Sequence, residues 1–167
     1  MKTSRNVQSV IFSILLFCSC CNNSTEDAFA HIYMKGVSII EEYGYGCTSG
    51  YFEIDLETLG TFCDAADYMG SLTGIRYHLT YVDIPVYESN AAVQQDVDYL
   101  KSWYKKYGRK MTKYDADLIV KKSYENSRST PPNIDSVIAR WDELQERKLS
   151  NKAGAIDDGD AKLNNYR

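Results

Sequence analysis

Apolar residues along this chain recur mainly at helical spacing, in segments punctuated by glycine, proline and serine. Phe29, Tyr33, Val37 and Ile40 share one face of a helix that Ser24 can cap, with Glu26 and Asp27 in its first turn. Tyr43-Gly44-Tyr45-Gly46 is expected to stop that helix and open a loop through Gly50. Asp55 is placed to cap a second helix with Leu59, Phe62, Cys63, Ala66 and Met69 inward and Gly70 and Gly74 at its end. Ser89 or Asn90 opens a third, with Val93, Val97, Leu100, Tyr104 and Tyr107 as its inner stripe and Gly108 as its stop. Thr112 and Asp115 have the spacing of a capping box for a fourth, predicted to turn Ala116, Ile119, Val120 and Ser123 inward. Beyond a turn at 127–132, Ile134, Val137, Ile138, Trp141 and Leu144 mark a fifth.

One stretch breaks the helical period. Residues 75–82, Ile-Arg-Tyr-His-Leu-Thr-Tyr-Val, alternate loosely, are rich in β-branched and aromatic side chains, and precede Pro85. They predict one strand, to pair with 51–54 or to run as an extended connector. The expected fold is therefore mainly α: a small antiparallel domain of about five helices over 24–149, with at most a minor β element near 75–83. Residues 150–167 hold few apolar side chains and predict a flexible tail. Ala66-Asp67 and Ala116-Asp117 recur in similar helical settings, too slight a likeness to define a repeat.

The first residues follow a different pattern. Met1–Gln8 is polar and basic through Lys2 and Arg5, and Val10–Cys21 is apolar apart from Ser13 and Ser19. About a dozen apolar residues are too few for a membrane span, which needs roughly 20. A basic start, a short apolar core and a small residue at its end describe an export signal. Leu16-Phe17-Cys18-Ser19-Cys20 resembles the lipobox of bacterial lipoproteins, with Phe17 where that pattern prefers Leu. The resemblance implies removal of residues 1–19, lipidation of Cys20, a short attachment segment over 20–23, and an envelope protein held to its membrane by lipid. Cys21 after the lipid cysteine implies the outer membrane where the cell has one. A plain secretory signal cut nearby is the alternative.

Charge changes the picture next. The chain holds 19 basic and 23 acidic side chains. Without Lys2 and Arg5 the balance is more acidic still, which argues against general nucleic-acid binding. The charge is also uneven. Arg76 is the one basic residue over 51–100, whereas Lys101, Lys105, Lys106, Arg109, Lys110, Lys113, Lys121 and Lys122 crowd into 101–122. That block can steer an acidic partner, touch anionic head groups, or simply solvate a helix face. In an oxidising compartment Cys47 and Cys63 can pair, and closing that loop is worth about 3 kcal/mol. The other reading is two buried thiols.

Candidate chemistry is sparse. His31 and His78 have no ligand partners at metal-site spacing, and no phosphate-cradling loop or nucleophile elbow occurs. Neither a metal nor a cofactor is expected. Asp157-Asp158-Gly159-Asp160 lacks the spacing of a calcium loop. Ser102-x-x-Lys105 matches the nucleophile motif of penicillin-recognising enzymes but lacks its companion motifs, and reads better as a helix surface. Tyrosine is abundant, at 14 residues. Tyr43, Tyr45, Tyr51, Tyr77, Tyr81 and Tyr87 fall near expected turns, where they serve equally as a binding surface or as filling for a thin core.

Three readings follow. The first is a lipid-anchored envelope module that binds a protein partner, of inhibitor, immunity or accessory-subunit type. Its surface is those tyrosines or the basic set Lys101, Lys105, Lys106, Arg109 and Lys110. The second is an envelope hydrolase or a lipid- or glycan-handling enzyme that uses Glu53, Asp55, Asp64 or Asp67. The third is a structural tether.

Overall fold

The computed structural model describes residues 28–49, 55–81 and 83–163, with side chains up to Asn151. Among the described residues there are five α-helices and one small sheet, so the fold is mainly α. Helix α1 covers 28–48. The others are α2 (Leu56–Thr73), α3 (Asn90–Lys106), α4 (Lys113–Ser123) and α5 (Ile134–Leu163). Strands β1 (Leu79–Tyr81) and β2 (Pro85–Tyr87) form a hairpin, and a 3₁₀ turn over Gly108–Lys110 joins α3 to α4.

Helix α1 is the centre of the bundle. Phe29, Tyr33, Val37, Ile39, Ile40 and Tyr43 are all buried, covering more of its circumference than one amphipathic stripe. It runs antiparallel to α3: Tyr33 donates to the Leu100 carbonyl (2.9 Å), Tyr45 to Gln94 Oε1 (2.8 Å), and Thr48 to Asn90 at the far end. Against α2, the Tyr43 and Phe62 rings stack at 3.8 Å, while Gly36 meets Met69. Helix α5 closes the bundle through Ile134, Val137, Trp141 and Leu144, all buried. It ties to α2 through Arg140–Asp64 and Arg147–Glu57 and to α1 through Lys35–Asp142.

Local signals place most boundaries. Asp55 caps α2 by accepting from the Thr58 amide at 2.6 Å, and Gly74 ends that helix with φ +71°. Ser89 caps α3, and Thr112 with Asp115 forms a complete capping box on α4.

Five expectations change. Tyr107, expected inward on α3, is 51 % exposed, and residues 150–163, expected as a tail, continue α5. Helix α1 continues through Gly44 and Gly46 to residue 48, because Gly44 lets α1 approach Val93 and Tyr87 closely. A Cβ there would lie 2.8 Å from both Val93 methyls. Strand β1 pairs forward with β2, Leu79 opposite Tyr87 and Tyr81 opposite Pro85; residues 51–54 lie outside the described residues. Pro85 opens a strand, a position where its missing N–H costs no ladder bond. Finally, Ile119 is 40 % exposed, so only Ala116 and Val120 carry the buried side of α4.

Candidate functional site

The chemistry concentrates where the hairpin meets α3. Asp96 falls between Val93 and Val97 on the buried face of α3, and is itself buried at 1 % exposure. A carboxylate taken from water there needs partners. His78, which leads into β1, supplies both. Its backbone N–H donates to Asp96 Oδ2 at 2.9 Å, and its Nδ1 lies 2.6 Å from Oδ1. An ionised carboxylate only accepts, which assigns the intervening proton to Nδ1 and leaves Nε2 on the opposite side of the ring. More than half of the imidazole side chain remains exposed. The carboxylate thus pins the start of the hairpin to α3 and locks the histidine ring.

Two tyrosines back this pair. Tyr77 donates to the Ala66 carbonyl at 3.2 Å. The buried Tyr87 hydroxyl makes no hydrogen bond of normal geometry. Burial first, and the Asp96 carboxylate second, push the pKa of both phenols well above the tyrosine range. Outside the pair is an open crevice of about 220 Å³ lined by Gly74, Ile75, Arg76, His78, Gln95, Asp96 and Tyr99. Tyr99 is half-exposed and donates to the Thr73 carbonyl. Tyr81, at 73 % exposure, stands on the adjoining strand. The lining offers a cation, an oriented imidazole and an aromatic ring, but no serine, threonine or cysteine nucleophile.

The tyrosines singled out by sequence separate into two groups. Tyr43 and Tyr87 belong to the core, and Tyr77 is partly buried against it. Tyr45 is half-buried and bonded to Gln94. Tyr81 alone of the described ones is strongly exposed, and Tyr51 lies outside the described residues. Cys47 and Cys63 are free thiols, both half-buried, and burial raises the pKa of each. They border Tyr43, whose hydroxyl is pushed up by burial and then by these thiols. Cys20 lies outside the described residues.

The basic set stays at the surface. Lys101 pairs with Glu41 at 3.4 Å, whereas Lys105, Lys106, Arg109 and Lys110 are exposed, and among the described residues no carboxylate pairs with them. Lys106 lies 4.9 Å above the Tyr107 ring. Of the carboxylates considered for hydrolysis, Asp55 caps α2, Asp64 pairs with Arg140, and Asp67 accepts from Tyr124. Glu53 lies outside the described residues.

No protein-family model, curated protein or solved structure matches this chain. The site therefore stands on its own geometry.

A larger groove of about 430 Å³ opens between α4 and the loop before α5. Its polar wall is a closed chain, in which Tyr68 donates to Asp117 (2.9 Å) and Lys113 bridges Asp117 (2.6 Å) and Asp135 (3.1 Å). Lys121, Thr130 and Asn133 also line the groove. Among the described residues no three His, Cys, Asp or Glu side chains converge as metal ligands would, and no helix is long and apolar enough to cross a membrane.

The dyad escaped sequence reading because His78 and Asp96 stand 18 positions apart. One signal was available. An acidic residue sits on the apolar stripe of α3, at a register where the helix had no other reason to carry charge.

Proposed function

We propose that this chain is a lipid-anchored protein of the bacterial envelope, tethered through Cys20, whose hairpin end binds a protein partner presenting an acidic side chain. The observation that carries the reading is the buried Asp96 clamp on His78. It fixes an exposed imidazole beside Arg76 and Tyr99 at the crevice, and exposed Tyr81 ends the strand that His78 leads into. Arginine and tyrosine dominate the energetic centres of protein interfaces, and side chains ordered before binding lose less entropy on association. Arg76 at this crevice suits a carboxylate from the partner, while the outward Nε2 of His78, with the ring proton on Nδ1, can accept from a neighbouring donor. One oriented imidazole without a neighbouring nucleophile favours recognition over acyl transfer. The anchor, and a place at the outer membrane, rest on the lipobox resemblance.

A photo-crosslinking residue at Tyr81 in the full chain, expressed in its own cells, tests the binding surface. One discrete adduct is expected, strongly reduced by Arg76→Glu and missing when the crosslinker stands at Leu149. No adduct, or the same pattern from both positions, overturns the assignment.

A further inference from the structure

Two independent features meet at the other end of the bundle. The first is where the described chain begins. Phe29, in the first turn of α1 as described, packs against Tyr104 near the end of α3, with ring centroids 6.2 Å apart. Tyr33, one turn on, stacks on Trp103 at 5.7 Å. The described chain thus begins beside the C-terminus of α3. Residue 28 is eight positions after Cys20, a span of at most about 29 Å for any extended chain of that length.

The second feature is the surface at that end. Helix α3 finishes on Lys105 and Lys106, and the 3₁₀ turn adds Arg109 and Lys110, all exposed. Gly108 makes the corner tight, since a Cβ there would lie 2.4 Å from the Tyr104 ring. Among these cations stand Tyr107 at 51 % and Tyr114 at 71 % exposure. Helix α4 continues the surface. Tyr114, Leu118, Lys121 and Lys122 follow at i, i+4, i+7 and i+8 on the side away from buried Ala116 and Val120. Cations with exposed tyrosines and an aliphatic side chain have the composition of an interfacial helix, where rings sit at head-group level and lysines reach the phosphates.

We propose that this end of the domain, the α3–α4 corner, docks on the anionic surface of the membrane to which the lipid is attached. The inference rests on the anchor in the reading above, and it adds an orientation. A docked corner at the C-terminus of α3 leaves the hairpin, which packs on Tyr43 and Gly44 beside the start of α3, turned away from the bilayer, with the His78–Asp96 crevice midway along that helix.

The test uses the full chain carrying Cys20→Ser, so that no lipid contributes. Its partition is measured onto phosphatidylcholine vesicles and onto vesicles containing phosphatidylglycerol. Preference for the anionic vesicles is expected, falling as salt rises. Each lysine near a charged surface contributes about fivefold, so Lys106→Gln with Lys110→Gln should lower binding about 25-fold. Arg128→Gln, which removes an exposed charge in the loop after α4, should change it less than twofold. The export segment is common to all variants and cancels in these ratios. Equal partition to both vesicle types, or an unchanged double variant, overturns the docking. Loss of a protein adduct in the double variant without loss of vesicle binding would assign the corner to a protein instead, and also overturn it. Mass measurement of the N-terminus in cells separately tests lipidation of Cys20, so failure of the anchor and failure of the docking are told apart.

Discussion

At the scale of single residues, Asp96 and His78 are unequal partners. The carboxylate has almost no contact with water, whereas the imidazole keeps more than half of its surface in it. Removing one member of a buried pair is costly when the survivor is a buried charge. His78→Ala leaves the Asp96 carboxylate with one backbone N–H and is expected to cost about 2–3 kcal/mol, discounted for the exposure of the imidazole. Asp96→Asn keeps one oxygen for that N–H and turns its NH2 to Nδ1, which can accept in the other tautomer of a histidine that water also solvates; about 1 kcal/mol is expected. Urea unfolding of the two variants checks the order. If the variant at the buried position proves the more costly, water reaches Asp96 and the clamp does not act as described. The pair also marks a limit of sequence reading. A histidine becomes interesting only when its partner is known, and tertiary packing, not spacing, brings an acid 18 residues away to it.

At the scale of elements, capping and periodicity were legible because they are local. Asp55, Ser89 and Thr112 all cap the helices they were expected to open. Of the stripe expected on α3, Val93, Val97 and Leu100 are buried, Tyr104 is partly so, and Tyr107, past the end of the helix, is exposed. What sequence could not disclose was the use of glycine. Gly44 and Gly46 read as a stop, since glycine costs a helix about 1 kcal/mol. At Gly44 the packing overrides propensity, because α1 presses on Val93 and Tyr87. Gly44→Ala should therefore lower stability by about 1–3 kcal/mol through overpacking, despite the better helix former. Gly60, inside α2 with open space around the position of a Cβ, should behave oppositely. Gly60→Ala is expected to gain about 0.5–1 kcal/mol. Thermal melts of both variants check this, and a stabilised Gly44→Ala would mean that α1 and α3 are further apart than described. The hairpin followed a similar logic. Pro85 looked like the end of a strand, and it is the first residue of the partner strand, where a missing donor is harmless.

At the scale of the whole molecule, tyrosine takes much of the place that aliphatic side chains hold in other helical cores. Tyr33, Tyr43, Tyr68 and Tyr87 are buried and Tyr77 is partly so. Their hydroxyls reach the core edge, where Tyr33, Tyr43 and Tyr77 donate to backbone carbonyls and Tyr68 to Asp117. Sequence left these residues open between binding surface and core filling, because a phenol suits both until its neighbours are known. The core role has a consequence in alkaline solution. Burial is the first cause raising the pKa of each of the five, and all are pushed beyond the ordinary tyrosine range. In the unfolded chain the same phenols ionise near pH 10. Above that pH the unfolded state therefore binds fewer protons than the native state, so stability falls as pH rises. Below it both states hold the phenolic protons, and the contribution is fully present. Each such tyrosine steepens the fall by about 1.4 kcal/mol per pH unit, so five of them consume an ordinary domain's stability within one or two units. Unfolding is expected in a narrow window above pH 10, with tyrosinate absorbance from the five rising together with loss of the helical circular dichroism. Tyr68→Phe removes one ionisable group, along with its bond to Asp117, and should make the transition shallower by one proton. Absorbance that completes for all the tyrosines while the helices persist would show that these hydroxyls reach water in the folded protein, and the tyrosine-built core would have to be redrawn.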